Sequence, residues 1–459
     1  MRSVFMIKKL YCTLLLGLAL TLSASVSLCS AQTLTQPLSP QDQQLAPNDK
    51  PPGTMQDEKD VSSFTAAYSL DGKKKSSKAE TITTKDVDEN TVLLRNKATL
   101  TMLDAVLNKT GDTSNTDNSN FNGQNAIFLA AGNSYATLSD SILNSASEGA
   151  NAIFATGSAT KIFVNNVKIH TTGDSSRGLD ATYAGTIFAD NVDITTAGAH
   201  SAALATDRGE GTITVRKAVL ATSGTGSPCI YSTGDITLTE GVGIATNSEC
   251  AVVEGKNSIT LNETVLSGSA NRGVMLYQSF SGDANTGIAR FTANNSKLTA
   301  NAAGPMFYIT NTSAEATLEN TDLSFNGNIL IQVTSDKWGT PGSNGGDFTF
   351  TGIHQILTGD ILANNLSSIN LNLTQGTTFS GAVNPDNTAK AITIHLDEKS
   401  TWNVTADSYV TKLIDANQTL QNINTNGHTV YYKVTDPANA ALSGQTHNFP
   451  NGGKIVPIN

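Results

Sequence analysis

Ile162-Phe163-Val164-Asn165-Asn166-Val167-Lys168-Ile169 is followed 25 residues later by Ile187-Phe188-Ala189-Asp190-Asn191-Val192-Asp193-Ile194. The pattern returns as Ile213-Thr214-Val215-Arg216-Lys217-Ala218-Val219-Leu220, as Ile259-Thr260-Leu261-Asn262-Glu263-Thr264-Val265-Leu266, and again over residues 316–323. In each copy apolar residues alternate, a polar pair interrupts them, and the alternation resumes. A period of two is that of a strand with one buried face. The polar pairs Asn165-Asn166, Asp190-Asn191 and Glu319-Asn320 read as a corner, because Asn tolerates the left-handed backbone that corners need. A second column consists of small residues: Ala126, Ala152, Gly178, Ala202, Cys229, Cys250 and Gly273, at intervals of 26, 26, 24, 27, 21 and 23. A repeat of this length is the mark of a solenoid. Strand, corner, strand and loop, returning to one register, describe a coil of a right-handed parallel β-helix. No such coil buries its apolar face alone, so the core is made by stacking.

The chain has 459 residues, more than one compact core usually holds. A solenoid escapes that limit by growing in one dimension. Charged residues are 15% of the chain and the formal net charge is −10. An acidic chain poor in Arg has no basic footprint for nucleic acid and is repelled by anionic membranes.

Residues 1–31 read as a secretory signal, with Lys8 and Lys9 before an apolar run and Cys29-Ser30-Ala31 at the cleavage site. This implies a secreted, cell-surface or periplasmic chain cut near Ala31, with no integral membrane segment left in the mature form. Residues 32–90, with Pro37, Pro40, Pro47, Pro51 and Pro52 among Gln, Asp and Lys, read as a tether. Within it, Lys73-Lys74-Lys75 reads as solvated charge. Asp86-Val87-Asp88-Glu89-Asn90 reads as a turn rather than a calcium loop, since Thr91 and Lys97 stand where Gly and Glu are required. The β-helix is expected over 91–400, as about 13 coils counting on to Leu413, in a rod about 60 Å long. Residues 111–122, 281–287 and 336–346 read as insertions, the kind of loop that often carries recognition in solenoids.

Ser400-Thr401-Trp402-Asn403-Val404-Thr405, with Asp407-Ser408-Tyr409-Val410 and Leu413, resembles the late-passenger motif of bacterial autotransporters and related secreted β-helix proteins. The stretch from Ile423 through Tyr431-Tyr432, closed by Gly452-Gly453-Lys454-Ile455-Val456-Pro457, is similar to the ending of adhesin-like β-helix proteins without a translocator barrel. The resemblance implies a pectin-lyase-like solenoid that acts by binding. It also implies C-terminal coils and a cap over 401–459, with Trp402, Tyr409, Tyr431 and Tyr432 packing over the last coil. The partner expected from it is an extracellular glycan or protein.

Cys229 and Cys250 fall in the small column of consecutive coils, about 4.8 Å apart. That spacing allows a disulfide. A pair of buried thiols fits it equally, because parallel stacked strands aim both Cβ vectors the same way. Catalytic, cofactor and metal residues are not expected. Of the polygalacturonase motifs only Asn-Thr-Asp occurs, at Asn115-Thr116-Asp117 and Asn320-Thr321-Asp322. Arg177 and Arg272 have no acidic cluster aligned with them. Asp190 and Asp193 are the nearest approach to a glycosidase carboxylate pair. His170, His200, His354, His395, His428 and His447 are scattered. Thr214, Thr237 and Thr260, flanked by Phe163 and Phe188, form one column, too narrow for the paired array that an ice surface needs.

Overall fold

The computed structural model describes residues 60–459. The expected signal and residues 32–59 of the expected tether lie outside them. The chain forms a parallel β-solenoid of about 16 turns. One face is a twelve-stranded parallel sheet that begins at Ala66–Asp71, runs through Leu179–Thr182, Leu204–Thr206 and Ile230–Ser232, and ends at Asp360–Ala363, every coil adding one strand in order. The stack continues through Val383, which bridges Ile361, and then Ser408–Val410, Thr429–Lys433 and Lys454–Ile458. A second sheet carries the repeat quoted above, in strands such as Lys161–Thr171 and Thr186–Thr196 that run across the corner.

The predicted register is the observed one. Leu100, Ala136, Ile162, Ile187, Ile213, Ile236, Ile259 and Phe291 stack in line on successive rungs, all facing inward and buried. Each large member withdraws enough apolar surface to stabilise the fold by about 1.5–3 kcal/mol. The corner also lies where expected. Asp140, Asn166, Asn191, Lys217, Glu240, Glu263, Asn295 and Asn320 occupy it with φ between 47° and 57°. Lys and Glu at three of these positions mean that the stacked backbone imposes the conformation. Asn adds a side-chain ladder, with Asn166 donating to Asp140 at 2.6 Å and Asn191 donating to Asn166 at 2.9 Å.

The first coil corrects the expected tether. Residues 66–84 already form three strands of a rung, so the solenoid starts 25 residues before Thr91. Its sequence hid it because the first rung has a neighbour on one side only and most of its residues are exposed. Lys74, Lys75 and Lys78 lie in the strand Lys74–Lys78 of this open edge. Charge there discourages strand pairing with another chain. Below it the Lys109 ammonium is buried and donates to the Asp86 carbonyl oxygen at 2.8 Å. The turn 86–90 is therefore filled by a lysine of the next rung, and burial lowers that lysine's pKa to about 8 despite four nearby carboxylates.

The far end corrects the expected cap. Trp402 lies inside the coil stack, fully buried, with its ring 6.2 Å from Phe379 and its Nε1–H donating to the Gly381 carbonyl at 3.0 Å. Tyr409 and Tyr431 stack side by side at 4.6 Å on the outer surface and stay half-buried. Tyr431 and Tyr432 both pair with the last strand, and Tyr432 donates its hydroxyl hydrogen to the Gln445 carbonyl at 3.0 Å. The end is closed by the 3-10 turn Pro437–Leu442, whose Leu442 joins the core, and by His447–Asn448, which pairs antiparallel with the last strand Lys454–Ile458. Aromatic content marked this region, but the alternation along 401–403 and 429–433 continues the coils.

Candidate functional site

An exposed sheet face ordinarily carries polar residues outward, and the second sheet largely does so, with Ile142, Phe163 and Phe188 as apolar exceptions. The outward column of the twelve-stranded sheet instead reads Phe154, Asp180, Ala205, Tyr231, Val252, Met275 and Tyr308, and all seven are buried. Inserted segments cover them. At one end sit Val61, Phe64 and a short helix, Thr116–Asn122 (α1), within the expected polar loop 111–122. Asn115 caps this helix, and Gly123, at φ 74°, ends it. At the other end loop 336–346 folds back so that Trp338 packs on Tyr277 at 5.4 Å, while Asp336 accepts from the Tyr308 hydroxyl at 2.7 Å. Loop 281–287 lies over the middle. Asp283 receives Arg208 at 2.6 Å, and Asn285 donates to Glu210 at 2.6 Å.

Between α1 and loop 281–287 is a cleft of about 520 Å³, within the size range of small-ligand sites. Its lining includes Asn120, Phe121, Arg177, Asp207, Pro228 and Tyr231. Arg177 precedes Gly178 in the small column, where a Cβ would lie 2.5 Å from the Ala203 carbonyl oxygen, so only Gly allows the strands to close there. The Arg177 guanidinium is thereby set against the sheet. It meets Asp207 at 3.0 Å and Asp180 at 3.8 Å, and donates to the Asn120 side-chain oxygen on α1 at 2.6 Å. Burial pushes the Asp180 carboxyl well above the usual carboxylate range and that of Asp207 to about 7, against the pull of Arg177. At both carboxyls the cost of burial outweighs the attraction of the shared guanidinium.

The other walls are braced as well. Arg208 lies over the Phe121 ring, 3.6 Å from its centre, while it pairs with Asp283. Tyr231 donates to the fully buried Glu254 at 2.5 Å, and Tyr277 donates to the same oxygen at 2.9 Å. Burial raises the Glu254 pKa, and hydrogen bonds from Ser279, Tyr231 and Tyr277 oppose that shift. Satisfied buried networks of this kind rigidify what they hold.

The residues singled out from sequence fare unevenly. Arg177 does meet acidic partners, which corrects the expectation that none aligns with it. Asp180 is 3 residues away and Asp207 30 residues away, one coil on, a relation the periodicity alone makes available. Arg272 lies elsewhere on the same face, 4.1 Å over the Tyr308 ring and 3.5 Å from Glu249. Asp190 and Asp193 are on the second sheet, away from the cleft, and Asp190 is ion-paired to Arg216. Asp117 and His200 line the cleft, whereas Asn320 is a corner. Cys229 and Cys250 are free, buried thiols, and Cys250 Sγ donates to the Gly273 carbonyl at 3.2 Å. Asp180, Asp283 and Glu254 drew no attention in the sequence.

Among the described residues no group of three or more His, Cys, Asp or Glu side chains is placed to hold a metal ion, and no helix is long and apolar enough to cross a membrane. No protein-family model, curated protein or solved structure matches the chain.

Proposed function

We propose that this is a secreted or surface-associated, adhesin-like β-helix protein that acts by binding, and that the cleft between α1 and loop 281–287 holds a glycan. The observation that carries the reading is the cleft's wall. Polar groups braced from behind stand beside the ring of Tyr231 and the ring of Pro228. A sugar presents the complementary surface, hydroxyls at its rim and C–H groups on its face. Pre-set walls lower the ordering cost of binding. Fold alone leaves function open.

The test is a glycan-array screen of the chain, with the same plates assayed for released reducing ends and unsaturated products. Binding without product supports the reading, and silence across the array sinks it.

A polysaccharide-cleaving enzyme is the second reading, favoured by one observation. Asp207 lines the cleft with its pKa raised to about 7 by burial, the condition of a general acid at neutral pH. Product that disappears in Asp207→Asn would establish this reading in place of the first.

A further inference from the structure

We infer that loop 281–287 is a pH-sensitive cover of the cleft, shut in mild acid and lifting as pH rises past neutrality. This goes beyond the glycan-binding reading and holds with or without a ligand. Among the described residues four carboxyls meet under or within the covers of this face: Asp180, Asp207, Glu254 and Asp283, each at most 4% exposed. Two guanidinium groups stand among them. Arg177 is shared by Asp180 and Asp207, and Arg208 is paired to Asp283 on the loop itself. With every carboxyl ionised, the cluster carries two negative charges out of water without a counter-ion. A buried charge without its partner is strongly unfavourable. Closure is therefore favoured when carboxyls of the cluster are protonated, and rising pH works against it.

The loop is fastened by the same groups. Asp283 receives Arg208 at 2.6 Å. One oxygen of Glu254 accepts from the Ser279 backbone N–H at 3.3 Å and from the hydroxyls of Ser279 and Ser281, while Tyr231 and Tyr277 hold the other. Asp207 accepts from the Arg208 backbone N–H at 3.2 Å, so its charge lies beside the Arg208–Asp283 latch, with Tyr183 next to the guanidinium. At the foot of the loop Lys256 pairs with Glu210 at 2.9 Å, and Asn285 donates to that same Glu210. His200 lies on the opposite wall, and the rim carboxylates Asp117, Glu148 and Asp174 are exposed. Gly282 supplies a hinge, at φ 74° with no atom within 4 Å of where its Cβ would be. Burial raises the carboxyls of Asp180, Asp207 and Glu254 above the usual range, Asp207 to about 7, as a closed site short of cations requires. Once the loop lifts, water reaches the cluster and these groups return toward ordinary values. Closing takes up protons, so it is favoured in acid and lost as pH climbs through the closed-state values.

The test is hydrogen exchange of the full chain at about pH 5.5 and about pH 8.5, each rate corrected for its intrinsic pH dependence. It is read at the hydrogen-bonded amides of Ser279, Ser281 and Asp283, with the strand Thr212–Thr222 of the second sheet as reference. The loop amides should exchange on the order of thirtyfold faster at the higher pH, the factor that one carboxyl shifted from about 7 to the usual range supplies, while the strand stays unchanged. Asp207→Asn removes that titration and should flatten most of the response. Asp180→Asn, which serves if the first variant does not fold, should reduce it as well. Trp338 gives a second readout, because its ring lies 6.4 Å from Phe280 at the start of the loop, so acrylamide quenching of the parent should rise with pH. Loop exchange equal at the two pH values, a reference strand that loosens in step with the loop, or a response unchanged in both Asn variants overturns the inference. No ligand enters these measurements, so their failure leaves the glycan reading standing, and silence across the array leaves the pH-sensitive cover standing.

Discussion

The two outer faces of the solenoid are built on the same hydrogen-bonded ladder and end up unlike. On the second sheet Thr214, Thr237, Thr260, Thr292, Thr317 and Thr351 stack outward in register, half-buried to exposed, so the column glimpsed in three coils continues through six. On the twelve-stranded sheet the outward positions carry Asp180, Tyr231, Met275 and Tyr308, sealed under inserted loops. Stacking sets the inside of both faces. The outside is released from that constraint, and where loops return over the twelve-stranded sheet charges become buried and the cleft arises. The lesson is that in a repeat protein the site is to be sought where the repeat is interrupted, on whichever face the interruptions cover.

That contrast breaks most sharply at Arg177. Arg177→Ala leaves Asp207 and Asp180 buried without their shared cation, and should cost about 3–5 kcal/mol in urea unfolding. The loss should be larger at pH 8 than at pH 5. Both carboxyls have folded pKa values above their unfolded ones. Their contribution is therefore complete below about pH 4 and is lost as pH rises through the folded pKa, and removing Arg177 moves that pKa higher still. A loss independent of pH would mean that the guanidinium acts by packing alone.

Next comes the shared interior. Ile236→Ala, one rung of the inward ladder, should cost about 3 kcal/mol by the same measurement. Tyr231→Phe removes one of the donors to buried Glu254 and should cost about 1–2 kcal/mol, with a measurable fall in affinity for any cleft ligand. Thr237→Ala, on the solvated column, should stay within about 0.5 kcal/mol of the parent. If Thr237→Ala costs as much as Tyr231→Phe, the two outer faces are not energetically distinct and the comparison fails. A smaller effect concerns Lys109. Its folded pKa is lowered to about 8, so the stability it contributes is lost as pH falls through that value and regained between pH 8 and about 10.5. Over that window the urea midpoint of the parent should rise relative to that of Lys109→Met.

The local pattern alone made much of the architecture legible. Alternation around Ile187 and Ile213, the small residue at Gly178, and the corner at Asn166 and Asn191 are one-dimensional facts repeated about every 25 residues. In a solenoid each repeat meets mainly its neighbours, so period and register together place every inward side chain. The first rung escaped because an edge strand has one partner and no need for alternation. Trp402 misled because a large aromatic near the chain end reads as a lid, while Phe379 one rung before it makes an in-line stack. The cleft was legible only in part. Arg177, Asp117 and His200 stood out as residues, and loops 281–287 and 336–346 as interruptions. That Arg208 meets Asp283 across 75 positions, and Arg177 meets Asn120 across 57, depends on where the inserted segments land. No repeat encodes that path. It is decided when apolar residues such as Trp338 and Phe121 find the outer face of the sheet and draw their polar neighbours out of water, which is the step that turns ordinary surface charges into a braced site.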